Sequence, residues 1–302
     1  MPPRLILNAD DFGLTHGINR AIGELHSAGV LSSATLMANG AAFDDAVEVA
    51  RAHPTLGVGC HIVLTDGIPL APLKHIPGLL GPDGKTLRPS LTDFIQALLR
   101  GKIKPAEIEL EALFQIHKLQ RAGIKITHLD THKHTHLFPV VTRCLLALAE
   151  SNRIPAIRNP FEPCWSLGLN QGNFTRRIAI KLIGCLRPRF EVSFQLHQGR
   201  IVTTDGTVAI SATGELNCTT LDEILRTLPS TGTYELCCHP GYNDAELDRV
   251  TTRLRVHREV ERNALLSIIP KHLICSNAPA LIHYGNIAAL QNSAVSAADV
   301  TS

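Results

Sequence analysis

Several things are missing from this 302-residue sequence. None of its eight cysteines forms a C-x-x-C pair, so neither a zinc ribbon nor a thioredoxin-like site is expected. They are expected to be mostly buried free thiols. There is little net charge, +2 at neutral pH, and so no electrostatic argument for nucleic acid or an anionic membrane. No apolar run is long enough to span a bilayer. The opening MPPRLILNADDFG lacks the apolar core and small-residue cleavage site of a leader, so a cytoplasmic location is the default expectation. Internal repeats and Ser/Gly-rich linkers are absent. There is no G-x-S-x-G elbow, P-loop or dinucleotide fingerprint, which removes serine-hydrolase and nucleotide chemistry of those kinds.

What is present is core. Hydrophobic residues make up 44% and charged residues 19%, so a large buried interior is expected and disorder is not. Apolar β-rich runs alternate with helical patterns. Strands are predicted at 4–10, 32–39, 57–65, 126–130, near IPAIRNP and at YELCCHP. Helices are predicted at 17–29, 43–54, 91–100, 105–122, 140–151, 221–228 and along 244–266, with Pro- and Gly-rich 66–88 as a long loop. Between 162 and 218 the pattern weakens to one basic helical stretch, TRRIAIKLIGCL, and an expected hairpin turning at Asp205-Gly206. Strand–helix alternation implies parallel βαβ units, and seven or so of them in one domain fit a barrel. We expect a single (β/α) barrel domain over 1–284 with an insertion around 160–218, and a flexible tail over 285–302.

In barrels, function collects at the C-terminal ends of strands, and the polar motifs fall there. NADDFG places Asp10 and Asp11 at the end of the first strand. One could bind a cation while the other acts as base, or they could be a helix cap and a turn residue. GVGCHIVLT offers His61 in a strand, sharing its parity with Gly57 and Gly59, so something could approach that face closely. His61 could be a metal ligand or a satisfied structural histidine. THLDTHKHTH (127–136) puts His128, Asp130, His132, His134 and His136 at every second position. Extended, they would line one face for about 27 Å, too far for more than one or two to reach a single ion. Asp130 is a candidate support for a ligating histidine. AIRNP offers Arg158, either an orienting cation or a surface one. LCCHPGY offers His239, either a proton donor fixed by Pro240-Gly241 or a loop histidine.

Taken in order, NADDFG, G-x-x-x-H-x-x-L-T ending at Thr65, THLDTHKHTH and LCCHPGY resemble the YdjC/ChbG group of carbohydrate deacetylases, including its HpnK-like members linked to hopanoid biosynthesis. The resemblance runs from residue 4 to about 268. It implies a distorted, TIM-like (β/α) barrel akin to the NodB polysaccharide deacetylases. It also implies a divalent cation, usually magnesium, and removal of N-acetyl groups from amino sugars such as chitooligosaccharides. By position it makes Asp11, His61 and His132 the metal ligands, Asp10 the catalytic aspartate, His239 the acid and Arg158 the group that steadies the base. One carboxylate and two imidazoles are softer than magnesium usually prefers and would suit zinc or another transition metal. An N-acetylated mono- or oligosaccharide is the expected partner, with no nucleic acid or membrane span, and a homodimer is allowed. The rival readings are a barrel-type metallo-phosphoesterase, which needs ligands for two ions, and a sugar-binding protein with a dead site.

Overall fold

A computed structural model of the chain describes residues 2–169, 174–197, 199–287 and 289, without the side chains of 174–177 and 179. The strands are β1 (Arg4–Phe12), β2 (Ser33–Leu36), β3 (Gly57–Ile62), β4 (Leu129–Thr131), β5 (Gly206–Val208), β6 (Thr233–Cys238) and β7 (Ala280–Leu281). The helices are α1 (His16–Ser27), α2 (Phe43–Ala52), α3 (Leu91–Leu99), α4 (Pro105–Arg121), α5 (Pro139–Ser151), α6 (Cys164–Leu167), α7 (Phe174–Ile183), α8 (Arg187–Gln195), α9 (Cys218–Thr227) and α10 (Val256–Leu273).

All the pairings between these strands are parallel, in the order β4-β3-β2-β1-β6-β5, with β7 added beside the start of β1. Bridges continue the curl beyond β4. Leu129 pairs with Ile157, and Ala156 with Val202. The run through Val202 leads into β5, which lies on β6. The result is a curled (β/α) barrel with helices outside, α1 packing on α2 and α10, α9 on α10 and α4 on α5.

Alternation along β1 shows how the sequence divides the two faces. Leu5, Leu7 and Ala9 join the main apolar core, while Ile6 belongs to a small separate cluster with Ala156, Val202, Tyr284 and Ile287. Next on Ile6's parity come Asn8 and Asp10, whose side chains hydrogen-bond to each other and to Thr35. The barrel interior is therefore apolar at its floor and polar above it. Local chemistry fixes the helix starts. The Thr15 hydroxyl accepts from Ile18 N at 3.2 Å, Ser90 from Asp93 N at 3.1 Å, and Asn217 from Thr220 N at 3.1 Å. The cap of α1 is thus Thr15, not an aspartate of NADDFG.

The strand expected at 126–130 is β4, Leu129–Thr131, and the histidine run beyond it is not extended: His132–Leu137 is a 3-10 turn with Lys133 and His134 left-handed (φ 55° and 51°). Three expectations need correction. The Asp205-Gly206 turn makes no hairpin. Asp205 N donates to Thr233 O, the Asp205 carboxylate accepts from Thr233 N, and both flanking segments pair in parallel with other strands. The helix expected from 244 begins at Val256, preceded by a single 3-10 turn at Leu247–Arg249. All eight cysteines are free, but Cys164, Cys185, Cys218 and Cys275 are exposed. Of the tail expected over 285–302, all but 285–287 and 289 lies outside the described residues. No helix among the described residues is long and apolar enough to cross a membrane.

Candidate active site and metal centre

Adjacent strand residues face opposite ways, yet Asp10 and Asp11 both come within 4.8 Å of His61 donor atoms. The register between β1 and β2 slips between Ala9 and Phe12, where three steps on β1 answer two on β2, and Asp11 adopts φ 64°. This bulge swings Asp11 round towards the barrel mouth.

Asp11, His61 and His132 offer one carboxylate oxygen and two imidazole nitrogens within 4.8 Å of one another. Asp11 Oδ1 is 3.8 Å from His61 Nε2 and 3.3 Å from His132 Nδ1. His61 donates from Nδ1 to Asp130 Oδ1 at 2.9 Å, which leaves Nε2 as the free ligand atom. His132 arrives only because β4 stops. The left-handed Lys133-His134 step, tied down by Lys133 Nζ to Asp66 Oδ2 at 2.9 Å, turns the chain back over the mouth. Burial works against charge on His61, but Asp130, Asp10 and Asp11 outweigh it and lift its pKa to about 9. A cation taking Nε2 therefore displaces a proton. Donor type, spacing and the carboxylate behind His61 fit a divalent metal.

Arg158 is fully buried and lies among three carboxylates. Nη1 and Nη2 reach the two Asp10 oxygens at 2.9 and 2.6 Å. Nε and Nη2 reach Glu235 at 2.8 and 2.5 Å, and Nη1 lies 2.6 Å from Asp130 Oδ2. Burial penalises the Asp10 charge, but Arg158, with His61 and His239, holds its carboxyl well below the usual range. His239 Nε2 stands 3.9 Å from Asp10 Oδ2. Its backbone N donates to Glu261 at 2.5 Å, and its Nδ1 lies 3.9 Å from the same carboxylate without a hydrogen bond.

The other histidines of 127–136 do not reach the metal trio. His128 stacks on Tyr284 with centroids 3.9 Å apart, and its ring fills the space above Gly59, where a Cβ would come within 2.4 Å of it. That is the close approach the glycine parity predicts; at Gly57 the visitor is His283. His136 pairs with the Thr131 hydroxyl at 2.6 Å. Burial, with nearby cationic groups, pushes the pKa of His128 and His136 well down and that of His134 to about 3, so all three are neutral at pH 7.

Sequence reasoning missed Glu235, Arg258, Glu261 and Tyr284. Arg258, buried on α10, donates to Asp11 Oδ2 at 2.6 Å. Burial opposes the Asp11 charge, but Arg258 and His132 hold its carboxyl well below the usual range. A signal existed for Glu235, a charged residue in the middle of the buried strand TYELCC. None existed for Arg258 or Glu261, since charges on a helix are usually exposed.

The description of the YdjC-like protein family matches residues 4–274. A carbohydrate deacetylase of Brevibacillus brevis is 43% identical over 158 residues, 52% of this chain and 60% of that protein. Another, from Geobacillus stearothermophilus, is 41% identical over 155 residues, 51% of this chain and 59% of its own length. Each match therefore spans less than two thirds of the relative. A crystal structure from Enterococcus faecalis, provisionally described as a cellobiose-phosphate cleavage protein, superposes with a TM-score of 0.74 at 26% identity, covering 95% of this chain and 99% of that one. On the match over residues 4–274, the chain belongs to the YdjC-like protein family.

Proposed function

We propose that this chain hydrolyses the N-acetyl group of an amino sugar, releasing acetate and the free amine. The observation that carries the reading is the pairing of two functions in neighbouring side-chain groups. A three-donor cation pocket, Asp11, His61 and His132, adjoins a carboxylate–imidazole pair, Asp10 and His239, 3.9 Å apart. Asp11, His61 and His132 would hold a divalent cation. When bound, such an ion lowers the pKa of water and polarises the acetyl carbonyl. Asp10 accepts the proton of the water that attacks the carbonyl carbon, and Arg158 keeps its carboxylate charged and aimed until then. His239 gives a proton from Nε2 to the nitrogen as the C–N bond breaks, since an amide nitrogen leaves only as the amine. Glu261 fixes the backbone that carries His239. The resemblance favours magnesium; two imidazoles favour zinc or another transition ion.

The two-ion phosphoesterase reading is weakened by Arg158. The further groupings, Asp10 with Cys237 and His239 and Asp10 with His61 and Asp130, both draw on Asp10, whose two oxygens are occupied by that guanidinium. The name of the Enterococcus structure brings phosphorylated disaccharides into the substrate panel. The test is acetate release from N-acetylated mono- and oligosaccharides, phosphorylated ones included, with magnesium, manganese, cobalt or zinc added. Acetate from at least one sugar, dependent on metal, is expected. Phosphate release without acetate, or no product with any metal, overturns the proposal.

A further inference from the structure

The floor of the barrel is closed by a segment that comes after α10. Ala280 N donates to Pro3 O at 2.8 Å and Ile282 N to Leu5 O at 3.0 Å, so β7 runs beside the first residues of β1, opposite the mouth. The next turn drives Tyr284 into the interior. Its ring is fully buried, stacked on His128 and grouped with Ile6, Ala156, Val202 and Ile287. Its hydroxyl donates to Glu235 Oε2. Tyr284 lies ten residues beyond the end of the family match at 274.

We propose that Tyr284 is a positioning residue that acts on Asp10 through Glu235 and Arg158. The inference rests on the deacetylase reading, in which Asp10 is the base. A Phe would suit the apolar neighbours of Tyr284 as well as a Tyr does, so the hydroxyl is what ties the floor to the site. It meets a carboxylate whose other contacts are Arg158, at Nε and Nη2, and the Thr207 hydroxyl at 3.3 Å. Arg158 is contested by Asp10, Asp130 and Glu235. What Glu235 gains elsewhere sets how hard it pulls. With the phenol in place, Glu235 Oε2 is held towards the floor and the guanidinium can present Nη1 and Nη2 squarely to Asp10. Without it, a buried carboxylate short of one partner draws Arg158 inward, and the bidentate grip on Asp10 loosens. Neither Tyr284 nor Glu235 touches the cation donors, so the effect should fall on the chemical step.

The experiment compares wild type, Tyr284→Phe, Glu235→Gln and the double variant on an acetylated sugar that wild type turns over. Tyr284→Phe should lower kcat roughly five- to tenfold, the worth of about one net hydrogen bond, with KM within about twofold and metal affinity unchanged. The solvent isotope effect on kcat should rise, because a misaimed base slows the proton transfer. Glu235→Gln removes the charge that competes for Arg158, so Tyr284→Phe made in that background should cost no further kcat, as members of one chain do. A merely structural role predicts a lower Tm with kcat and isotope effect unmoved, or additive losses, and either result overturns the proposal. If Tyr284→Phe alone does not fold, a folded double variant whose kcat falls roughly five- to tenfold below that of Glu235→Gln overturns it just as well. Failure of wild type to release acetate sinks the deacetylase reading instead.

Discussion

Asp10 and Asp11 are neighbours in sequence, buried alike, and each is gripped by a buried arginine, yet their surroundings differ in one decisive way. Asp10 spends both oxygens on Arg158. Asp11 spends only Oδ2, on Arg258, and turns Oδ1 to two imidazoles. A carboxylate saturated by a fork of donors is a poor cation ligand but a well-aimed acceptor for a single proton. One held from behind by a single donor keeps a free oxygen for a metal. The division of labour thus follows from how many oxygens each guanidinium occupies, and not from the aspartates themselves.

The largest effects should come from removing the two arginines. Arg158→Met strands Asp10, Asp130 and Glu235 without their common partner, and a loss of about 3–5 kcal/mol or more is expected, comparable to the whole stability of many domains. Arg258→Met strands only Asp11, and there an added divalent cation can replace the lost charge. Melting with and without metal should therefore show rescue of the Arg258 variant alone; equal rescue of both would mean that the two pockets are not distinct.

Next come the aspartates. Asp10→Asn should cut turnover roughly 10²–10⁴-fold while keeping metal, and Asp11→Asn should lose the metal as well. Metal content of the purified variants, read beside activity, separates them, and a metal-free Asp10→Asn would mean that the roles are exchanged. His239→Ala should slow amide substrates by roughly 10²–10⁴-fold but spare an activated ester, whose leaving group needs no proton. Equal losses on both substrates, with the fold intact, would remove His239 from the proton path.

The gentlest probe is pH. His61 has its folded pKa raised to about 9, so its charge stabilises the metal-free fold fully below about 6.5, and that stability is lost as pH rises through 9. Metal needs the deprotonated Nε2, so its affinity should climb by up to about tenfold per pH unit and level off above 9. Metal-free Tm falling while metal-bound Tm holds, between pH 6.5 and 9, is the expected pattern. A metal affinity flat across that range would contradict the charged His61.

The regular part of the chain was legible because its signals are local and strong. RLILNAD, GVGCHI and YELCC read as buried strands, and the stops at Gly29 and Pro54 read as helix ends; the structure places strands and helix ends within a few residues of them. In two places a local pattern is overruled by a distant contact. The alternation of THLDTHKHTH continues past the strand expected at 126–130, but Lys133, paired with Asp66, turns left-handed. Asp205-Gly206 says hairpin, but Thr233 claims Asp205 through two hydrogen bonds. Asp10, Asp11, His61, Arg158 and His239 stood out as candidates in polar motifs at or near strand ends, while His132 was picked from its run of four histidines only by the family resemblance. Arg258, Glu261 and Tyr284 sit where charge or a phenol carries no such flag, on the flank of α10 and beyond its end.

Arg258 and Glu261 lie one turn apart on α10, and the first grips Asp11 while the second grips the backbone of His239. The helix is a yoke laid across two widely separated parts of the chain. A single residue inserted ahead of this turn would rotate both side chains by about 100° and carry them off together. Cation pocket and proton donor are therefore geared to the same shaft, and a shift in the register of α10 keeps or disconnects them as a unit.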